Sequence, residues 1–522
     1  MRRVRAVPIV FILFALAINF LAPSVNTQPV VNAASRPPNI LFILTDDQDV
    51  ASLAYMPKVK ALLADQGVTF DNFFVNISLC CPSRSTILRA QYSHNTGVLT
   101  NGGSNGGFQA AFNLGIEKST IGTWLQAGGY QTALYGKYLN GYPGNQGDKY
   151  IPPGWTEWAS AISGNPYGEY NYVLNQNGNP VAHKRKPEDY GTNVYTSLAT
   201  DFIQRSAKDN KPFMVYLAVY APHQPATPAP EDVNLFPGLT ALRPPSFDET
   251  DVSDKPQYIS ERDPLTPANI KTIDSLYRKR IQSLQDVDRS VESLINTLKT
   301  TGQLDNTYIV FTSDNGFHLG THRMVAGKQT PYEEDIRVPL IIRGPGIPAG
   351  KTLHQIVGTI DFGPTFTQWA GLKPPDFVDG RSIVPLLSAT PPAPDKWRQV
   401  FLLEHWDTGS SVDTIGIQEP GDPDQPDPGA TPEPDTGQIL AKKTGPLVIP
   451  EFQGLKTANF TYIEYATGEK EFYDLRKDPY ELDNIASKAD PGLLKQFADR
   501  LNELRKCKAD SCRAAEDKPL GN

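Results

Sequence analysis

Along this 522-residue chain, short apolar runs recur, and four of them break off abruptly into polar residues. "PNILFILTDDQD" ends in Asp46 and Asp47, and "GYQTALYGKYLN" ends in Lys137. "KPFMVYLAVYAPHQP" leads to His223, and "NTYIVFTSDNG" to Asp314 and Asn315. Runs of this length, rich in β-branched and aromatic residues, predict buried strands of a mostly parallel sheet. Stretches of helical period lie between them: "MPKVKALLADQG", "TIGTWLQAGG", "VYTSLATDFIQRSA" and the long "IKTIDSLYRKRIQSLQDVDRSVESLINTLKTTG". The alternation predicts an α/β fold, a mostly parallel central sheet with helices on both faces. Ligands of such sheets bind beyond the carboxyl ends of the strands, so the four polar endings would share one rim.

Taken singly, these endings are ordinary turn or cap sequences. Together, Asp46, Asp47, Asp314 and Asn315 would form an all-oxygen set with three carboxylates. Three carboxylates on one rim repel one another, which predicts a bound cation. Oxygen ligands select a hard one, Ca²⁺ first and Mg²⁺ second. Zinc is disfavoured, since the chain has only seven histidines.

The chain holds four cysteines, two of them adjacent in "SLCCPSRST". Neighbouring cysteines make a poor disulfide, so Cys80 and Cys81 need another explanation. Cys507 and Cys512, in "CKADSC", are placed for a small local disulfide in an oxidising compartment, with a metal clip as the alternative. Pro82 and the following "SRSTILRA" predict a helix start, with Cys80 just ahead of an N-terminus suited to an anion. Arg84 lies one turn in. Lys137, Lys328 and His223 would add donors around a tetrahedral anion.

"CCPSR" matches the Cys-x-Pro-Ser-Arg signature of the type I sulfatases, whose fold is that of the alkaline phosphatase superfamily. The similarity continues through "NILFILTDDQ", "GKYLNGY", "APHQP", "SDNGFHLGTHRMVAGKQTPYEEDIRVPLIIRGPG" and "EFYDLRKDPYELDNIA". The chain thus resembles the type I sulfatases over most of its length. Its "GKYLN" resembles the branch containing glucosamine-6-sulfatase, the heparan endosulfatases and bacterial arylsulfatase-like proteins. The resemblance implies that a formylglycine-generating enzyme oxidises Cys80 to formylglycine, with Cys81 a packed bystander. One hydroxyl of the hydrated aldehyde would attack sulfur and displace the alcohol; the other would then lose its proton and expel sulfate. It further implies that Asp46, Asp47, Asp314 and Asn315 ligate Ca²⁺ together with residue 80, and that Arg84 holds the hydrate. Lys137 and Lys328 would bind sulfate oxygens, and His223 would contact the ester and protonate the leaving oxygen. Many members carry a histidine where this chain has Leu139. Asn140, His318 and His322 are the candidates for its place, and His318 and His322 also for substrate contact. The implied substrate is a sulfate monoester, aryl or 6-sulfated amino sugar. The alternatives are a phosphonate or phosphate ester hydrolase on the same fold, and a binding protein whose cysteine stays unconverted.

The N-terminus sets "MRRVR" before the apolar "AVPIVFILFALAINFLA" and the small and polar residues up to "VVNAAS". This layout predicts a secretory signal over residues 1–33, with an uncleaved anchor as the alternative. No later segment is apolar enough to span a bilayer, so a secreted or periplasmic protein without stable membrane insertion after signal cleavage is expected. A catalytic domain is expected over 36–395. A smaller C-terminal α+β domain over 396–522 would hold an antiparallel sheet from "RQVFLLEHW", "FTYIEYA" and "EKEFYDL", closed by a helix in "GLLKQFADRLNELRK". The proline- and acid-rich insert at 418–437 is too polar to pack. Two sequons occur, at Asn76 and Asn459; a glycan on Asn76 would crowd Cys80, so that sequon is read as unused. A net charge of −8 carries no mark of a nucleic-acid binder.

Overall fold

The run before Asp46 forms strand β1 (Asn39–Thr45), buried along its whole length. Alternate side chains of a strand point to opposite faces. Accordingly Ile40, Phe42 and Leu44 join one apolar cluster, and Leu41 and Ile43 another. A strand apolar on both faces needs cover on both. The computed structural model, which describes Met1, residues 36–406 and residues 449–520, supplies that cover. The predicted signal beyond Met1 and the insert at 418–437 lie outside the described residues.

β1 sits inside a ten-stranded sheet. The other strands, in chain order, are β2 (Val68–Phe70), β3 (Gln131–Gly136), β4 (Glu157–Gly164), β5 (Tyr172–Gln176) and β6 (Asn179–His183). Then follow β7 (Phe213–Ala218), β8 (Thr307–Ser313), β9 (Leu340–Arg343) and β10 (Lys351–Leu353). The spatial order is β10-β2-β9-β8-β1-β7-β3-β4-β5-β6. The five neighbours β8-β1-β7-β3-β4 run parallel. Register aligns their ends: Leu44 lies opposite both Ala218 and Thr312, and Ala218 opposite Gly136. The residues that follow those positions therefore emerge level, at one rim.

One face is covered by helices α1 (Cys80–Arg89), α2 (Ile121–Ala127) and, later in the chain, α5 (Phe362–Trp369), through Ile87, Leu125 and Phe366 among others. Phe42 meets Tyr216, Phe362 and Phe366 edge-on at 4.9, 5.0 and 5.5 Å. Such pairs add about 0.5–1.5 kcal/mol each beyond their buried area. The other face is covered by α3 (Gly191–Asp209) and α4 (Pro267–Thr300). α4 begins at a Thr266 cap with Pro267 in its first turn, and buries Ile273, Tyr277, Ile281 and Leu284 at three- and four-residue spacing.

A second sheet is antiparallel: β11 (Phe401–His405), β12 (Phe452–Lys456), β13 (Phe460–Tyr465) and β14 (Lys470–Asp474), in that order. Helix α6 (Pro491–Leu504) packs on it, with the Phe497 ring 5.0 Å from Phe472. The first-face cluster runs on into this sheet through Phe401, Leu455 and Phe472. The expected Cys507–Cys512 disulfide is present, with Cα atoms 4.8 Å apart. Asn76 is buried, its amide donating to the Leu402 carbonyl and accepting from Ser93 N–H. That leaves no room for a glycan there, whereas Asn459 is exposed.

Candidate active site

Each of the four parallel strands β8, β1, β7 and β3 delivers polar side chains to the rim within a few residues of its last residue. β3 reaches it through Gly136, at φ 108, where an added Cβ would stand 1.8 Å from the Ala218 carbonyl oxygen. Only glycine fits so close to the neighbouring strand, and Lys137 follows, its N–H donating to that same carbonyl. Past β1, Asp47 takes a left-handed backbone with φ 64, uncommon for a side chain larger than glycine. Arg280 from α4 supports this turn, donating to the carbonyls of Asp47 and Pro222.

Cys80 is the first residue of α1, not a residue ahead of it as predicted, and Pro82 falls in the first turn. An N–H there has no partner inside the helix, so Pro82 fits without loss. Cys80 Sγ lies 2.7 Å from Lys328 Nζ and 3.5 Å from Asp46 Oδ1. Cys81 is buried in the apolar cluster, and its N–H donates to Asn101 Oδ1. The two cysteines therefore have different surroundings: Cys80 faces charged groups, Cys81 apolar ones.

Three ion pairs organise the centre, all nearly without solvent contact. Arg84 Nε donates to Asp314 Oδ2 at 2.8 Å, and Lys137 Nζ meets Asp46 Oδ2 at 2.7 Å. Lys328 Nζ meets Asp47 Oδ1 at 2.8 Å. Burial pushes the Asp46 carboxyl up, but Lys137, His223 and Arg84 together outweigh it and hold its pKa below the usual range. Asp47 is lowered in the same way against burial, by Lys328 and His223. Arg84 is raised well above its usual value: burial opposes its charge, and Asp314 and Asp46 more than restore it. His223 Nε2 lies 3.6 Å from Asp47 Oδ2, while Nδ1 is 2.6 Å from the Gln224 carbonyl. A carbonyl can only accept, so Nδ1 carries the hydrogen and Nε2 is the nitrogen facing the centre.

Because each carboxylate has a protein cation beside it, mutual repulsion no longer argues for a metal with the force it had in the sequence. The donor set argues for one instead. Asn315 Nδ2 donates to Asp47 Oδ1 at 2.7 Å and to the Gly316 carbonyl at 2.9 Å, while its Oδ1 is buried and, among the described residues, accepts no hydrogen bond. A buried amide oxygen without a donor is costly, and a cation satisfies it. Ligand atoms of Asp46, Asp47, Cys80 and His223 all lie within 4.8 Å of one another. Asp314 stands behind them, its Oδ1 accepting from the N–H groups of Asp47 and Asn315. These residues fit a hard divalent cation once position 80 offers oxygen in place of sulfur.

His318 and His322 are both buried, each with Nδ1 held by a carboxylate: Asp335 at 3.0 Å and Glu249 at 2.5 Å. The Nε2 atom of each is buried without a hydrogen bond among the described residues. His318 pairs with Gly327 across a short bridge, which sets it beside Lys328. Leu139 joins the apolar cluster, whereas both amide atoms of the buried Asn140 lack hydrogen bonds among the described residues. Sequence reasoning missed Arg280, Asp335 and Tyr167, whose ring lies against His223 and Lys137. Arg280 left one signal, a charge on the buried face of α4 beside Tyr277 and Ile281.

Fold and rim together define an α/β protein whose mostly parallel sheet carries a buried centre of carboxylates, cations and one cysteine. Comparison with known proteins narrows this class. Residues 38–372 match the family described as Sulfatase. The chain is 41% identical over 384 residues to the Extracellular sulfatase SULF-1 homolog of Drosophila melanogaster, across 72% of this chain and 33% of that protein. It therefore spans about a third of that relative's length. N-acetylglucosamine-6-sulfatase of Homo sapiens is 35% identical over 494 residues, across 92% of this chain and 87% of that one. A solved structure, described as in complex with its substrate D-glucosamine-2-N,6-O-disulfate, superposes with TM-score 0.70 at 25% identity, across 92% and 100% of the two chains. The chain belongs to the sulfatase family.

Proposed function

We propose that this protein is an exported sulfatase that hydrolyses a sulfate monoester, with 6-O-sulfated glucosamine as the substrate class. The observation that carries this is the surroundings of Cys80: first in a helix, against Lys328 and Asp46, at the rim of four parallel strands. Formylglycine made from Cys80, hydrated, supplies a hydroxyl nucleophile and a second hydroxyl whose deprotonation frees the sulfate. Ca²⁺, with Mg²⁺ the second choice, would be held by Asp46, Asp47, Asp314, Asn315 and position 80 and supplies Lewis acidity toward sulfate oxygen.

The chain's own residues do the remainder. The sulfur of Cys80 marks where the hydrate's oxygens stand, one helical turn from Arg84, which is held rigid by Asp314 and the Lys137 carbonyl. Lys137 and Lys328 bring two ammonium groups to the sulfate oxygens, where charge grows as the ester bond breaks. His223, its Nδ1–H fixed on the Gln224 carbonyl, would as an imidazolium carry a second proton at Nε2 and give it to the departing alcohol. His318 and His322 offer Nε2 atoms to the substrate.

The glucosamine 6-sulfate reading is supported by the names of the human relative and of the solved complex. Export is supported by the N-terminal pattern and the extracellular relative. Among the described residues, no helix is long and apolar enough to cross a membrane. Maturation calls for a formylglycine-generating enzyme, and the division into 36–395 and 396–522 is part of the same proposal.

The test is mass spectrometry of the tryptic peptide ending at Arg84, alongside turnover of p-nitrophenyl sulfate and 6-O-sulfated glucosamine. An aldehyde at 80 and a thiol at 81 are expected in active protein. Full activity with an intact thiol at 80 would refute the proposed nucleophile.

A further inference from the structure

The buried charges at the rim are committed to the sulfate or to one another, so the alcohol half of the ester must rest against something else. Tyr167 stands on the open side. It occupies a one-turn 3-10 element, Pro166–Gly168, just past β4, the fifth of the parallel strands. The turn is braced: Asn165 Oδ1 accepts from Gly168 N–H at 2.9 Å, and Glu169 and Asn171 take left-handed φ values of 64 and 55. The Tyr167 ring lies 4.5 Å from the His223 ring, 4.9 Å from the Tyr220 ring and 4.9 Å from Lys137 Nζ. Those three side chains are buried, whereas Tyr167 is partly exposed. It therefore marks the boundary between the ion cluster and solvent, beside the histidine that faces the leaving oxygen.

We propose that Tyr167 is a specificity-determining residue, the wall against which the ring of the leaving alcohol packs so that its ester oxygen reaches His223. This deepens the sulfatase reading and rests on it. An aromatic face is electron-rich, and the C–H bonds of a pyranose or arene are electropositive, so a cyclic alcohol gains contact that an acyclic one cannot match. The Lys137 ammonium lies near the same ring and helps hold it in place. Tyrosine also has few rotatable bonds, so little freedom is lost on contact. Inorganic sulfate has no alcohol half and does not reach the wall.

The experiment uses formylglycine-containing wild type, Tyr167→Leu and Tyr167→Phe. It measures KM and kcat for p-nitrophenyl sulfate and 6-O-sulfated glucosamine, and the inhibition constant of inorganic sulfate. Tyr167→Leu is expected to raise KM for both cyclic esters by roughly 5–10-fold while the sulfate inhibition constant holds. Tyr167→Phe, which keeps the ring, restores KM to within about 2-fold of wild type. An unchanged KM in Tyr167→Leu overturns the inference. So does an equal rise in KM and in the sulfate constant, which would mean that the ring only supports His223 and Lys137. A wild type that neither hydrolyses the esters nor binds sulfate overturns the sulfatase reading itself, a failure distinct from an active wild type with indifferent variants.

Discussion

Replacing Lys328 by methionine removes one ammonium group and keeps nearly the length of the side chain. Its Nζ is 2.8 Å from Asp47 Oδ1 and 2.7 Å from Cys80 Sγ, and all three residues are buried. At an effective dielectric of about 20, opposite charges at that separation attract by about 6 kcal/mol, a gross figure largely offset by desolvation. Removing one partner of a buried pair costs about 3–5 kcal/mol, because the other charge is left uncompensated. Asp47 keeps Asn315 Nδ2 at 2.7 Å and His223 at 3.6 Å, which argues for the lower end. Unfolding in urea should therefore show a loss of about 3 kcal/mol. Added Ca²⁺ should recover more stability in the variant than in wild type, since Asp47 has lost its protein cation. The catalytic effect is separate. A preorganised cation at growing oxyanion charge is worth about 10²–10³-fold in kcat, so turnover of p-nitrophenyl sulfate should fall by that factor with a smaller change in KM. Rates must be normalised to formylglycine content by mass spectrometry, because Lys328 touches the residue to be converted. A kcat within tenfold of wild type at equal content would refute the role given to Lys328.

Cys80→Ala should fold and lose turnover, whereas Cys81→Ala should keep both conversion and turnover and lose about 1 kcal/mol of stability from a small cavity. Loss of turnover in a folded, converted Cys81→Ala protein would contradict its assignment as a packed bystander. Asn315→Ala removes the unpartnered Oδ1 and should weaken Ca²⁺ binding by at least about tenfold in calorimetric titration; unchanged affinity would remove Asn315 from the ligand set. His94 lies outside the site, its Nδ1 2.7 Å from Glu404 and its Nε2 3.0 Å from the Cys507 carbonyl. Burial lowers its pKa, but Glu404 more than compensates and raises it from 6.5 to about 9. A raised folded pKa stabilises below the unfolded value, and that contribution is lost as pH rises through the folded one. Unfolding free energy should thus fall between pH 6.5 and about 9, by up to about 3 kcal/mol. A denaturation series across that window should be flatter for His94→Gln, and an equal slope in both proteins would show that another group is responsible.

The strands that bear the rim were legible because their surroundings leave few choices. A strand covered on both faces must be apolar throughout, as in β1, β7 and β8, so it stands out from the sequence and its polar ending is plain. The outer strands were not legible. β6 reads "NPVAH" with mostly exposed side chains, and β2 and β10 span three residues each. Such edge segments are held by backbone pairing, which leaves little trace in side-chain pattern. β12, "FQGLK", went unread for a similar reason: its glycine lies against Ile463 of β13, a contact visible only in the folded sheet.

By itself, the sequence determined that Asp46, Asp47, Lys137, His223 and Asp314 follow strands of one α/β sheet, and that a helix starts beside Cys80 near a cation-rich centre, although it set Cys80 just ahead of that helix rather than within it. Those conclusions depend on local pattern and on motif, which the chain carries in order. The tertiary structure decided three things that no local pattern holds. It paired Arg84 with Asp314, Lys137 with Asp46 and Lys328 with Asp47. It left Asn315 Oδ1 and the Nε2 atoms of His318 and His322 buried without hydrogen bonds among the described residues. It also brought Tyr167 from β4's turn onto His223 and Lys137. The ion pairs and the Tyr167 contacts join residues 30 to 281 positions apart in sequence, brought together by strand register and by a sheet packed on both faces.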